Sequence, residues 1–252
     1  LRRQRQMCIR DSIMEGLPIN ALYGWKTNGF FQNYDEIQNA ALPTGIDRSQ
    51  LRPGDVRYVD LNSDGKIDEN DRTYLGYAFP RYTYGFTYNV KWKGIDFSIM
   101  LQGVLKRENP VRGELVQPFH ADYSMTMFDH QLDYWSPQNR DARWPRLGVS
   151  GSVSDTNNWG HTGSDMMLLE GAYMRIKNIQ LGYTLPKKWT KKFGCEALRI
   201  YFDTQNPLTW TKNGFVDPET TSFGNNMSGG ADNSVRNYPT LRYFGGGIDL
   251  TF

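Results

Sequence analysis

Residues 82–92 alternate without exception. Tyr82, Tyr84, Phe86, Tyr88, Val90 and Trp92 are aromatic or apolar, and Thr83, Gly85, Thr87, Asn89 and Lys91 between them are small or polar. A period of two places the first set on one face of a β-strand and the second on the other, a partition that a helix does not reproduce. Ten intervals at roughly 3.3 Å per residue reach about 33 Å. Tilted as barrel strands are, the run projects to about 25 Å, the height of the apolar band of a membrane β-barrel. Strands of soluble sandwiches are more often about 17–20 Å long. Tyr and Trp stand at the two ends of the run and Phe86 near its middle, in the manner of interfacial aromatic girdles.

The pattern recurs. Lys93-Gly94 supplies turn chemistry, and Ile95, Phe97, Ile99 and Leu101 then alternate with Asp96, Ser98, Met100 and Gln102, which predicts a hairpin. A third run over Asn178–Leu185 carries Ile179, Leu181, Tyr183 and Leu185 on one face before Pro186 stops it. A polar connector with Lys187, Lys188, Lys191 and Lys192 leads to a fourth run, in which Leu198, Ile200 and Phe202 alternate with Arg199, Tyr201, Asp203 and Gln205. The last run places Phe244, Gly246, Ile248, Leu250 and Phe252 on one side. Long Gly/Asn/Asp/Ser-rich stretches at 148–165 and 213–237 read as loops. Short connectors alternating with long loops are how an outer-membrane barrel distributes its two ends. The expected fold class is all-β: an antiparallel transmembrane β-barrel portion with long extracellular loops.

Composition narrows the function. With 29 Lys+Arg against 27 Asp+Glu the 252-residue chain carries a net charge of +2, which gives no electrostatic footprint for nucleic acid. The mean hydropathy is −0.64 and no apolar run approaches the roughly 18–20 residues of a membrane helix. Alternating strands escape that limit. Cys8 and Cys195 are singletons, and His120, His130 and His161 lack metal-ligand spacing. No phosphate-binding loop or nucleophile elbow is present. Acidic pairs such as Glu114 with Asp122 or Asp129, or Glu170 with Asp165, are nominated by spacing alone, so no enzyme is expected.

Residues 1–12 differ from the rest: Arg2, Arg3, Arg5 and Arg10 crowd together and no apolar segment follows. They read as a non-native leader, leaving 13–252 for the fold.

Residues 60–71 have the spacing of a calcium loop. Asp60, Asn62, Asp64, Asp68 and Asp71 supply oxygens at loop positions 1, 3, 5, 9 and 12, Gly65 sits at position 6 and the Lys66 carbonyl at position 7. Asp71 stands where a helix–loop–helix calcium site has Glu, and the preceding Asp55–Val59 segment reads as extended. A structural Ca2+ here would stiffen a loop.

Several segments together resemble one family. They are Gly16-Leu17-Pro18-Ile19, Tyr23 to Gly29, Pro53-Gly54-Asp55-Val56-Arg57-Tyr58-Val59-Asp60, Asp133 to Pro137, Ala142 to Arg146, Tyr173 to Tyr183, and Tyr238-Pro239 with Arg242. In this order the chain resembles the C-terminal barrel portion of SusC/RagA-type TonB-dependent outer-membrane transporters of Bacteroidota. The terminal Gly247, Leu250 and Phe252 are similar to the signal read by the barrel-assembly machinery, with Gly245 lying near the place where a polar residue is usual. The resemblance implies an importer of oligosaccharides or other oligomers such as peptides in the outer membrane, partnered by a SusD-like surface lipoprotein and energised by TonB-ExbB-ExbD. The plug domain has no counterpart in these residues. A 22-stranded-type barrel needs roughly 220 residues in strands alone, so the chain reads as an incomplete wall that does not transport by itself. The alternative is a secreted calcium-stabilised β-module that binds glycans through exposed aromatics, with Trp135, Trp144, Trp159 and Trp210 as sugar platforms. Substrate-binding residues cannot be assigned from these segments.

Overall fold

The computed structural model describes residues 21–111, 113–119, 126–160, 163–212, 214–219 and 238–252. The leader at 1–12 and Gly16-Leu17-Pro18-Ile19 lie outside them. The chain divides into two compact units: residues 1–79, 108–169 and 221–238 form the first, and 80–107, 170–220 and 239–252 the second.

The second unit is an antiparallel sheet built on five long strands: β1 (Tyr82–Trp92), β2 (Ile95–Leu105), β3 (Tyr173–Thr184), β4 (Ala197–Gln205) and β5 (Tyr243–Thr251). Their spatial order is β5-β4-β3-β2-β1. A short strand, Thr209–Thr211, continues along the edge of β3 beyond β4. The predicted hairpin forms with a two-residue turn in which Lys93 and Gly94 have φ of 48° and 89°. Two positive φ values match the twist of the flanking strands. A Cβ on Gly94 would lie 2.7 Å from the Thr184 carbonyl oxygen, so glycine also lets β3 end against the turn.

The strand expected from Asn178 begins five residues earlier. Met174 and Ile176 are in one alternation phase and Ile179, Leu181 and Tyr183 in the other, and a register shift between Ile176 and Asn178 absorbs the difference. A bulge at Lys177 keeps all five side chains on one face. The sheet does not close: among the described residues β1 and β5 each pair on one side only.

The first unit has short strands. Ala21–Trp25 pairs with Arg72–Tyr77, and Thr27–Phe30 with Val56–Tyr58. The 148–165 stretch, expected to be irregular, contains the helix Val153–Trp159, started by the Ser152 hydroxyl accepting from Asp155 N. Phe31, Ile37 and Leu51 are buried together, with Leu42, Ile46 and Val153 packed on them. No helix among the described residues is long and apolar enough to cross a membrane.

Candidate functional site

Directly opposed residues of an antiparallel ladder share a face, so the register of the second unit can be read row by row. One face carries Trp92, Ile95, Tyr183, Ile200 and Ile248 in its first row, and Val90, Phe97, Leu181, Phe202 and Gly246 in the second. Tyr88, Ile99, Ile179, Thr204 and Phe244 follow, then Phe86, Leu101 and Ile176, then Tyr84, Gly103, Met174 and Trp210. Thr204 is the one polar side chain in these five rows. Trp92 is 64% exposed, Phe86 55%, Leu181 49% and Ile248 63%. A soluble monomer rarely leaves an apolar patch of this extent uncovered. Tyr84 lies across Gly103 from the opposite strand, where a Cβ would come 2.3 Å from its hydroxyl oxygen.

The opposite face is polar. Its first row is Lys91, Asp96, Gly182, Tyr201 and Gly247, and its second Asn89, Ser98, Gln180, Asp203 and Gly245. Arg199 spans three strands: Nε and Nη2 donate to Asp96 at 3.0 and 2.6 Å, and Nη1 to Asp249 at 2.9 Å. The guanidinium passes over Gly182, whose Cβ would fall 2.6 to 2.7 Å from Asp96 and Arg199 atoms. Glycine there lets a charged ladder lie flat on the strand between its ends.

Further along, Arg175 is 4% exposed and binds Asp217 at 2.7 Å together with Glu219, while Lys177 reaches Glu219 at 2.9 Å. Asp217 also accepts from Thr240 N at 2.8 Å. Burial pushes the Asp217 carboxyl up, but the hydrogen bonds from Glu219 N, Arg175 and Thr240 outweigh it and hold the group below its ordinary value. The Asp217–Glu219 corner is thereby clamped to the polar face. Neither the ladder nor the clamp was anticipated from sequence, although Arg175, Arg199 and Asp249 all occupy polar phases of alternating runs.

Several segments that carry the family resemblance meet in the first unit. Asp55 is fully buried: Oδ2 accepts from Arg52 N at 2.8 Å and the Ser154 hydroxyl at 2.7 Å, and Oδ1 from Asn158 Nδ2 at 3.1 Å. Arg146 adds a longer contact to Oδ1 at 3.5 Å. Trp135 N donates to the Trp144 carbonyl, and Arg146 N to that of Gly54. A Cβ on Gly54, which has φ of 95°, would strike the Trp135 ring at 2.4 Å. These residues frame a core. Burial raises the Tyr58 hydroxyl well above its usual range, with Asp165 adding to the effect, while the hydroxyl donates to the Asn157 carbonyl.

The sugar-platform reading fails for three of its four tryptophans: Trp135, Trp144 and Trp159 are 7%, 2% and 9% exposed. Trp210 is exposed, but on the apolar face of the sheet. Two of the nominated acids have other work. Asp165 accepts from Thr27 N and Oγ1, and Glu170 pairs with Lys212; Asp122 lies outside the described residues. His130 contacts the Leu115 carbonyl through Nε2 and stacks on Phe128, whereas His120 and His161 lie outside the described residues.

In the 60–71 loop every candidate carboxylate accepts from backbone. Asp60 takes Ser63 N and Gly65 N, Asn62 takes Asp64 N, Asp64 takes Lys66 N, and Asp68 takes Asn70 N. Asp71 is fully buried, Oδ1 accepting from Leu61 N at 2.8 Å and Oδ2 from Asp68 N at 2.9 Å. Among the described residues no three acidic, His or Cys side chains gather as a metal-holding group. The donors suit calcium in kind and spacing, since all are hard oxygens. Asp71 is turned inward, where it closes the loop itself. Gly247, Leu250 and Phe252 lie at the end of β5, with Tyr201 over Gly247, Leu250 opposite Leu198 and Phe252 84% exposed.

An antiparallel sheet with one apolar face, one charged face and its short turns at one end is part of the wall of a transmembrane β-barrel. No family model matches the chain. It is 27% identical over 258 residues to the TonB-dependent receptor P3 of Formosa agariphila, covering 100% of this chain and 23% of that protein. It is likewise 27% identical over 233 residues to the TonB-dependent receptor SusC of Bacteroides thetaiotaomicron, covering 91% of this chain and 20% of that one. Its fold matches the RagAB peptide importer in the closed-closed state with a TM-score of 0.59 at 19% identity, over 98% of this chain and 25% of that one. The chain therefore spans about a quarter of the length of its relatives, and it fits a fragment of a SusC/RagA-type TonB-dependent receptor of Bacteroidota.

Proposed function

We propose that this chain is a wall segment of an outer-membrane importer that takes up oligosaccharides or other oligomers such as peptides. The sheet register carries the reading: rows of apolar side chains on one face suit lipid, and the Asp96–Arg199–Asp249 ladder on the other suits a water-filled lumen. A SusD-like surface lipoprotein would cap the complete barrel, TonB-ExbB-ExbD would drive it, and the barrel-assembly machinery would insert it by way of Gly247, Leu250 and Phe252. The substrate undergoes no covalent change. The edges of β1 and β5 that pair with nothing among the described residues would take their neighbours from the rest of the barrel. Cell fractionation with mass spectrometry of the polypeptide that carries Tyr243–Thr251 tests this. Recovery in the outer membrane as a product much larger than 29.1 kDa is expected. A soluble product of about that mass would reject it.

Calcium at the 60–71 loop is part of the proposal. Asp60, Asn62, Asp64, Asp68 and the Lys66 carbonyl would hold the ion, with Asp71 retaining its capping role. A calcium-dependent rise in Tm that Asp60→Asn abolishes is expected. An identical Tm in calcium and in chelator would reject calcium at this loop.

A further inference from the structure

The cationic connector between β3 and β4 has no role in the wall described so far. Residues 187–190 form a short helical turn, continued by a tighter turn over Lys191–Phe193, and Gly194 at φ 72° ends it. The connector is firmly seated: Thr190 and Cys195 are buried, Cys195 N donates to the Thr190 carbonyl at 3.2 Å, and Leu185 N donates to that of Leu198 at 2.8 Å. Lys187 has Glu196 at 3.8 Å. Lys188, Lys191 and Lys192 are exposed and have no carboxylate partner among the described residues. Their i, i+3 and i+4 spacing sets like charges side by side, which is unfavourable unless an anion lies between them.

Their surroundings indicate where such an anion comes from. The connector lies at the end of the sheet where the β1–β2 hairpin turns, and β5 ends there too. Lys93 folds back so that Nζ lies 4.9 Å from the centroid of the Trp92 ring, on the apolar face. Trp92 is 64% exposed, Trp189 57% and Tyr183 40%. Lysines beside exposed indole and phenol rings at the rim of an apolar band match a lipid headgroup layer, because the rings take the interfacial depth while the ammonium groups reach up to phosphate.

We propose that Lys93, Lys188, Lys191 and Lys192, around Trp92 and Trp189, bind the phosphate headgroups of an anionic phospholipid in the leaflet that meets the short turns. This rests on the membrane reading of the apolar face. It adds a lipid preference confined to one leaflet and one end of the wall.

The test uses the complete receptor in detergent, exposed to phosphatidylglycerol or to phosphatidylcholine, with retained lipid counted by native mass spectrometry. Each lysine near an anionic surface contributes about fivefold, so phosphatidylglycerol should be retained at least about tenfold better. K188Q/K191Q/K192Q should cut that preference to about the fivefold that Lys93 alone supplies, and K188R/K191R/K192R, which keeps the charge and controls for folding, should retain it. Equal retention of both lipids by the unaltered receptor would overturn the proposal. So would an unchanged preference in the Gln variant, including a variant that instead loses an acidic protein partner. A receptor that stays monodisperse without detergent and retains neither lipid would overturn the membrane reading itself.

Discussion

The two units of the chain bury opposite things. Of the 22 buried apolar side chains among the described residues, 18 belong to the first unit and four to the second. The first unit hides Phe31, Leu51 and Trp144 and surrounds one of its two fully buried carboxylates, Asp55, with three partners in close hydrogen-bonding range. The second leaves Phe86, Leu181, Ile200 and Ile248 uncovered and gathers its charges on the other face. On the proposed reading one chain obeys two solvents: an apolar core hidden from water in the first case, and an apolar face for lipid with a charged face for an aqueous lumen in the second.

Phenylalanine truncation gives the largest separation. Phe31→Ala, at a fully buried position, should cost about 3–5 kcal/mol with its cavity term, whereas Phe86→Ala, which leaves no cavity, should cost at most about 1.5–3 kcal/mol of transfer free energy, both by denaturant titration of the detergent-solubilised receptor. Comparable losses at the two sites would mean that Phe86 is covered by protein.

A charge on the sheet sharpens the contrast within one strand. Phe86→Arg should destabilise the receptor in vesicles by about 2–4 kcal/mol, and Thr87→Arg, one residue on and facing the other way, should be nearly silent. Equal effects would remove the two-faced reading. In the first unit, Asp71→Ala should cost about 0.5–2 kcal/mol through loss of its capping bonds, read as a fall in Tm in chelator; an unchanged Tm would show that the loop closes by other means.

The smallest effect is the acid response of the clamp. The folded-state pKa of Asp217 lies below its ordinary value. Its stabilising contribution is therefore complete above that ordinary value and is lost as pH falls through the depressed one. Asp217→Asn should flatten the acid limb of a Tm-against-pH curve and leave neutral behaviour otherwise parallel. A superimposable acid limb would show that Arg175 does not hold the corner through this carboxylate.

Alternation was legible because strand period is a property of consecutive residues: β1, β4 and β5 fall within one residue of the runs that announce them, and β2 continues three residues past its run. Only β3 departed, and its phase break between Ile176 and Ile179 is visible in the spacing once the bulge is known. The helix Val153–Trp159 was not legible, since Asn157 and Asn158 look like loop residues until Val56 and Asp55 are found bonded to them. Spacing marks Asp71 as a calcium ligand, and only the structure adds that its two oxygens accept amides at both ends of the loop.

Local order along the chain settled which residues share a face, where the tight turn falls and which kind of solvent each face can meet, because those depend on period and on side chains a few positions apart. Tertiary structure alone decided that Arg199 would span from Asp96 to Asp249, that Arg175 would hold a corner 42 residues away, and that three tryptophans would sit inside and one outside. Those outcomes depend on which distant strands become neighbours, a choice set by the summed packing of whole faces that no local spacing records.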